Sequence, residues 1–208
     1  MLRIDPVRPD PDAIRGAVDR FRNGAVVVFP TSGLYGLGAD AFNCGTVARI
    51  YAIKGRPHRK PILVLISDRQ ALERVVRVVP RHAQALMQQL WPGGITFILE
   101  AADGVSQMLT AGTGKIGVRL PAHPVARALV AQFGGVITAT SANLSGRPPA
   151  AAVDQLDHAV KDSVDLILDA GRLAGGPGST VIDVTCRPFK IIRQGAVSRQ
   201  AIEAVQFD

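Results

Sequence analysis

The stretch "DPDAIRGAVDRFRNGAVVVF", residues 10–29, holds the change of rhythm that decides the fold. Asp10 stands ahead of Pro11 as a helix N-cap, with the proline in the first turn. Ile14, Val18 and Phe21 then recur on one face, and Gly24 stops the pattern. "AVVVF", residues 25–29, follows at once and is apolar on both faces, as a central strand covered on both sides must be. The same helix-then-strand alternation returns along the chain. "TVARIYAIK" (46–54) reads as a helix, "PILVLI" (61–66) as a buried strand, 69–77 and 81–90 as shorter helical patterns, and "ITFILEA" (95–101) as a strand. Beyond them "IGVRL", "GVITAT", "VDLILD" and "STVIDV" read as strands, and "HPVARALVAQF", "AAVDQLDHAV" and "SRQAIEAVQ" as helices. "STVIDVTCRPFKIIR" (179–193) has the form of a hairpin, so the sheet is expected to be mixed. The reading is α/β: one domain over residues 10–200, a twisted open sheet flanked by helices, with no repeat, linker or second domain.

Composition narrows the function. The 208 residues can bury a good core within a single domain, and 47% hydrophobic with 20% charged residues is the profile of a folded chain. A formal charge of +7 favours an anionic partner: a nucleotide, a nucleic acid or a phosphorylated metabolite. Aromatics at 5% argue against a base-stacking platform. Cys44 and Cys186 lie far apart with no zinc-ligand spacing, which speaks against a disulfide framework or a structural metal. "MLRIDPVRPDPDAI" reaches charge and proline before a signal peptide could form, and no apolar run approaches a membrane span, so a cytoplasmic protein is expected.

Chemistry should gather where polar or glycine-rich loops leave strands. "PTSGLYGLGAD" offers Gly33, Gly36 and Gly38 for close backbone approach, with Thr31, Ser32 and Tyr35 as hydrogen-bonding groups, yet it is neither a Walker loop nor a dinucleotide fingerprint. "TATSANLSGRPP" places Thr140, Ser141, Asn143 and Ser145 directly after a strand, as a ligand lining or as a plain turn. Arg119 ends the strand of "GVRLPAHP" and suits a bidentate clamp on a carboxylate or phosphate. Ser179 and Thr180 follow a glycine run, Arg193 ends the last strand, and His123 reads as a helix cap or a surface residue rather than a base. Lys54, Arg56, Arg59 and Lys60 form a block of cations between a helix and a strand, which is either a solvated turn or a polyanion site.

Taken in order, "KGRP" with Lys60, "WPG", "VRLPAHP", "SANLSG", "GSTVIDV" and "IIRQGAV" resemble the YrdC-like family over about residues 10–200. Each motif alone is modest; the six in sequence are specific. The family's K-x-R and S-x-N signature falls on Lys54 with Arg56 and on Ser141 with Asn143. The resemblance implies an open α/β sheet with a basic central cavity. It implies synthesis of threonylcarbamoyl-adenylate and pyrophosphate from L-threonine, bicarbonate and ATP, for modification of the adenosine beside the anticodon in tRNA.

The same resemblance assigns roles. Lys54 and Arg56 would be catalytic, and together with Lys60, Ser141, Asn143 and Arg193 would bind the nucleotide. Thr31, Tyr35, Arg119 and Ser179 would hold L-threonine. Mg²⁺ would arrive with ATP, with no side-chain ligands of its own. Expected partners are ATP, threonine and bicarbonate, the proteins that transfer the threonylcarbamoyl group, and tRNA or double-stranded RNA, with no membrane. One departure stands out: where the family often reads P-T-[DE]-T, this chain has Ser32 and Gly33, losing an acid and a hydroxyl. A divergent relative that binds nucleotide or double-stranded RNA without synthase chemistry therefore stays as the alternative.

Overall fold

The computed structural model describes residues 1–205. The chain runs β1 (Leu2–Arg3), α1 (Pro11–Arg22), β2 (Val27–Pro30), β3 (Tyr35–Gly38), α2 (Cys44–Lys54) and β4 (Leu63–Leu65). It continues with α3 (Arg81–Leu90), β5 (Ile95–Glu100), α4 (Gln107–Thr110), β6 (Lys115–Arg119), α5 (Pro124–Phe133) and β7 (Ile137–Ser141). Last come α6 (His158–Ser163), β8 (Leu166–Asp169), β9 (Thr180–Asp183), β10 (Lys190–Arg193) and α7 (Arg199–Glu203). All ten strands share one sheet in the order β1-β8-β2-β3-β7-β4-β6-β5-β9-β10. It is mixed: β4–β6 and β5–β9 are parallel, whereas β3–β7, β4–β7 and β5–β6 are antiparallel, and β9–β10 form the expected hairpin.

The opening stretch folds as its rhythm dictates. Asp10 caps α1 through its carboxylate, and Ile14, Ala17, Val18 and Phe21 are buried. β2 is buried at every position. α1 and α5 pack side by side over one face of the sheet, and the apolar cluster they make takes in β2, β8, β7 and Leu65 of β4, with no residue of β6, β5 or β9. The opposite face is covered along its length by a second cluster that includes Ile50 of α2, Leu86 of α3, Phe97, Val118 and Ile182.

Three of the segments read from sequence fold differently, and β1 and α4 form where the sequence reading has no element. The second half of "PTSGLYGLGAD" is strand β3, because Thr31 reverses the chain through bonds from its N–H (2.9 Å) and its hydroxyl (2.6 Å) to Leu34 O. "AAVDQLDHAV" is a short 3₁₀ turn, Val153–Gln155, and then α6, broken at Leu156 and Asp157, which have extended backbones. The pattern over 69–77 gives only the 3₁₀ segment Gln70–Arg74. The end of "SRQAIEAVQ", at Gln206, lies outside the described residues. Among the described residues no helix is long and apolar enough to cross a membrane.

Candidate functional site

Beyond the reach of α1 and α5, their face of the sheet is the floor of a cavity of about 480 Å³. Strand alternation explains its chemistry. In β6, Ile116 and Val118 point to the covered face, whereas Lys115, Gly117 and Arg119 line the cavity. Thr96 and Ile98 of β5 and Val181 and Asp183 of β9 continue the floor, in register through the Ile98–Gly117 and Ile98–Asp183 pairs. The walls come from the Thr31–Tyr35 turn, Arg56, Ser141, His123 at the start of α5, and Ser179 and Arg193.

Three guanidiniums face this space, each steadied by neutral oxygens. Arg119 donates from Nε to Gly93 O (2.7 Å) and from Nη2 to Ser32 Oγ (2.8 Å). Arg193 donates from Nε (3.2 Å) and Nη2 (2.7 Å) to Ser179 O, and Arg56 from Nε to Lys60 O (3.1 Å) and Nη2 to Pro61 O (2.7 Å). None of the three forms an ion pair among the described residues. Arg119 is only 9% exposed, and burial together with the charge of Arg193 pushes its pKa down to about 10. The single acid in the lining, Asp183, is already committed to Lys115 Nζ (2.9 Å) and to the Thr185 hydroxyl (2.6 Å). Burial pulls the Asp183 pKa upward, but those bonds outweigh it and hold the carboxyl below the usual range. The three guanidiniums therefore leave the cavity with a net positive charge that its one carboxylate, already paired with Lys115, does not offset, which is the electrostatics of an anion site.

The structure gathers most, though not all, of the residues singled out from sequence. Thr31, Tyr35, Arg56, Arg119, Ser141, Ser179 and Arg193 line the cavity together, drawn from separate stretches of chain. Tyr35 spends its hydroxyl elsewhere: it donates to Gly171 O (2.7 Å), accepts from Ala170 N (3.0 Å), and burial pushes its pKa up to about 12. Ser179 Oγ pairs with the Thr96 hydroxyl at 2.8 Å. Lys54, Lys60 and Asn143 are not in the lining. Lys60 is exposed on the loop. Lys54 is 2% exposed and points its ammonium at Ser141 O, Asn143 O (2.7 Å) and Asn143 Oδ1 (3.4 Å); burial and then Arg56 push its pKa down to about 8. Asn143 donates from Nδ2 to Leu144 O (2.8 Å) and Arg147 O (2.6 Å).

Sequence reasoning passed over Ser32 as a contact of Arg119, and also Lys115 and Asp183. The alternation Lys115–Gly117–Arg119 on an otherwise apolar strand is the signal that exposes Lys115. His123 caps α5, its Nδ1 accepting from Val125 N at 3.3 Å, and it borders the cavity as well. Gly33 has a steric reason. A Cβ there would lie 2.2 Å from Gly175 O, and Gly175 N donates to Gly33 O at 2.8 Å, so the segment 170–178 packs directly on the turn.

Among the described residues no group of three or more His, Cys, Asp or Glu side chains is placed to hold a metal ion. With Asp183 engaged, the lining offers a divalent ion no free carboxylate.

Residues 19–195 match the Sua5/YciO/YrdC family profile, described as "Telomere recombination". The chain is 37% identical over 202 residues to a threonylcarbamoyl-AMP synthase of Bacillus subtilis, covering 97% of this chain and 58% of that protein. The crystal structure of Pyrococcus abyssi Sua5 complexed with L-threonine superposes with a TM-score of 0.92 at 34% identity, covering 98% of this chain and 60% of that one. Escherichia coli YciO gives a TM-score of 0.85 at 29% identity, with 97% and 98% covered. The chain thus spans little more than half the length of the first two relatives.

Proposed function

From a chain that belongs to the Sua5/YciO/YrdC family, we propose a nucleotidyltransferase that makes L-threonylcarbamoyl-AMP and pyrophosphate from L-threonine, bicarbonate and ATP. The observation that carries this reading is the set of three guanidiniums, Arg56, Arg119 and Arg193, turned into one cavity whose single carboxylate, Asp183, is paired with Lys115 and with none of them. A triphosphate and an amino-acid carboxylate supply the missing charge. The naming of the Bacillus subtilis relative and the threonine bound to the Pyrococcus abyssi protein support that choice of ligands.

In this reading Arg119 grips the threonine carboxylate while Arg56, Ser141 and Arg193 meet the nucleotide. The threonine amine and bicarbonate first condense to a carbamate, losing water. A carbamate oxygen then attacks the α-phosphorus, the bond from that phosphorus to the bridging oxygen breaks, and pyrophosphate leaves with its electron pair. Negative charge gathers on oxygens at both ends of this displacement, so fixed cations supply most of the catalysis and no side-chain nucleophile is required. Mg²⁺, brought in with ATP, shields the phosphates. The product would pass in the cytoplasm to proteins that transfer the threonylcarbamoyl group to tRNA.

The test is pyrophosphate release with ATP, bicarbonate and Mg²⁺, supplying each amino acid in turn. Release with threonine, dependent on bicarbonate, is the expected result. Binding of nucleotide or RNA with no pyrophosphate under any amino acid would overturn the synthase reading.

A further inference from the structure

Lys54 sits behind the cavity wall, not in it. It is the last residue of α2, and its three N–H donors meet three acceptors: Ser141 O, Asn143 O and Asn143 Oδ1. Its own carbonyl accepts from Ser145 N at 2.8 Å. One residue therefore grips the segment 141–145 at both ends, through its ammonium and through its backbone. Asn143 completes the knot from inside, its Nδ2 tied to Leu144 O and Arg147 O. What this fixes on the cavity side is Ser141, whose backbone is at the same time paired with Gly36 across β3 and β7.

Gly55 then reverses the chain in the left-handed conformation, φ 54°, so that Arg56 emerges on the cavity side of the wall two residues after Lys54. A buried cation is tolerable only when its donors are fully met. Here carbonyl oxygens do this, aided by the partial negative charge at the end of α2. To touch a phosphate the ammonium would have to leave acceptors that nothing else in the segment replaces.

We infer that Lys54 is a positioning residue: it holds segment 141–145 so that Ser141 and Arg56 present a fixed face to the nucleotide, and it makes no contact with the phosphates. The inference rests on the cavity being the nucleotide site, and the K-x-R and S-x-N motifs thereby divide into an inner pair, Lys54 with Asn143, and an outer pair, Arg56 with Ser141.

Two measurements test it. In the wild-type protein, pulse acetylation with an amine-reactive ester, read lysine by lysine by mass spectrometry, should modify Lys54 at least about ten-fold more slowly than exposed Lys60, with or without ATP. Labelling of Lys54 on the time course of Lys60 overturns the inference, and protection of that labelling by ATP identifies Lys54 as a phosphate contact instead. The second measurement is a double-mutant cycle on ATP affinity with K54M, S141A and the pair. If Lys54 acts through Ser141, the double variant binds within about two-fold of K54M alone. If the two losses multiply, the inference fails. Should K54M not fold, the labelling decides, since it needs no variant. Failure of the wild type to bind ATP would sink the proposed function while leaving the labelling contrast between Lys54 and Lys60 intact.

Discussion

Under the proposed function, Arg119→Lys should separate the amino-acid half of the site from the phosphate half. Two of the guanidinium's five N–H groups are used to fix it, on Gly93 O at 2.7 Å and Ser32 Oγ at 2.8 Å, leaving a fork that can meet a carboxylate with two parallel bonds. Lysine keeps the charge but has one nitrogen, so it cannot hold both anchors and also present a planar pair of donors. Losing one charge-assisted hydrogen bond is worth about 1.5–3 kcal/mol, and each 1.4 kcal/mol is about ten-fold in affinity. The apparent affinity for threonine should therefore fall by about ten-fold to hundred-fold. ATP affinity measured without threonine should change by less than about three-fold, roughly 0.6 kcal/mol. The threonine dependence of pyrophosphate release gives the first quantity and titration calorimetry with ATP the second. Unchanged threonine dependence with weakened ATP binding would move Arg119 to the nucleotide side and refute the assignment.

Arg56→Ala should lower turnover by about 10²–10³, the usual cost of one preorganised charge at the reacting phosphate. Stability should hold to within about 1 kcal/mol, because the carbonyls of Lys60 and Pro61 that Arg56 meets lie on an exposed loop; turnover within a few-fold of wild type counts against the site. Burial lowers the pKa of His123 below its ordinary 6.5, and its neutral Nδ1 accepts the N-cap bond of α5, so its stabilising contribution is complete above pH 6.5 and is lost as pH falls through the lowered value. His123→Asn keeps a cap acceptor without titrating, and denaturant melts at falling pH should show less acid destabilisation than wild type; identical pH curves would exclude His123 as the source. Gly33→Thr puts a Cβ where Gly175 O lies 2.2 Å away, which should prise segment 170–178 from the turn and speed tryptic cleavage after exposed Arg172 by about ten-fold, whereas an unchanged cleavage rate would mean the two segments do not depend on each other.

What the sequence makes legible follows from how continuous each signal is. α1 and β2 have unbroken apolar periods, and they form where the pattern changes rhythm. β3 is obscured because Gly36 and Gly38 interrupt any period-2 reading. Gly38 is glycine for a reason only the sheet reveals: a Cβ there would meet Thr138 O at 2.4 Å on the neighbouring chain segment. The helix over 151–160 fails at Asp157, which stands at the N-terminal boundary of α6 with a non-helical backbone, partway through an otherwise helical stretch. The site divides along similar lines. Arg119 is readable because it closes a strand, so its face follows from alternation. Lys54 and Asn143 are not, since Lys54 is the last residue of α2 and Asn143 lies two residues past β7, and the chain path alone decides which of two residues two positions apart faces the cavity.

The departure at Ser32 bears on the charge of the whole cavity. An acid at that position, as the family pattern often has, would lie beside Arg119 and offset part of its charge. Ser32 gives Arg119 a hydrogen-bond acceptor with no formal charge, 2.8 Å away. A guanidinium that is 9% exposed and lacks an anion must draw one from solution or lose stabilisation. The Ser32 hydroxyl thus keeps Arg119 in place while leaving its charge available, and the nearby charge of Arg193, which already disfavours the protonated form of Arg119, sharpens the demand. Under the proposed function the amino-acid carboxylate would be the counter-ion that completes the site, so that substrate binding and the electrostatic balance of the cavity would become a single event.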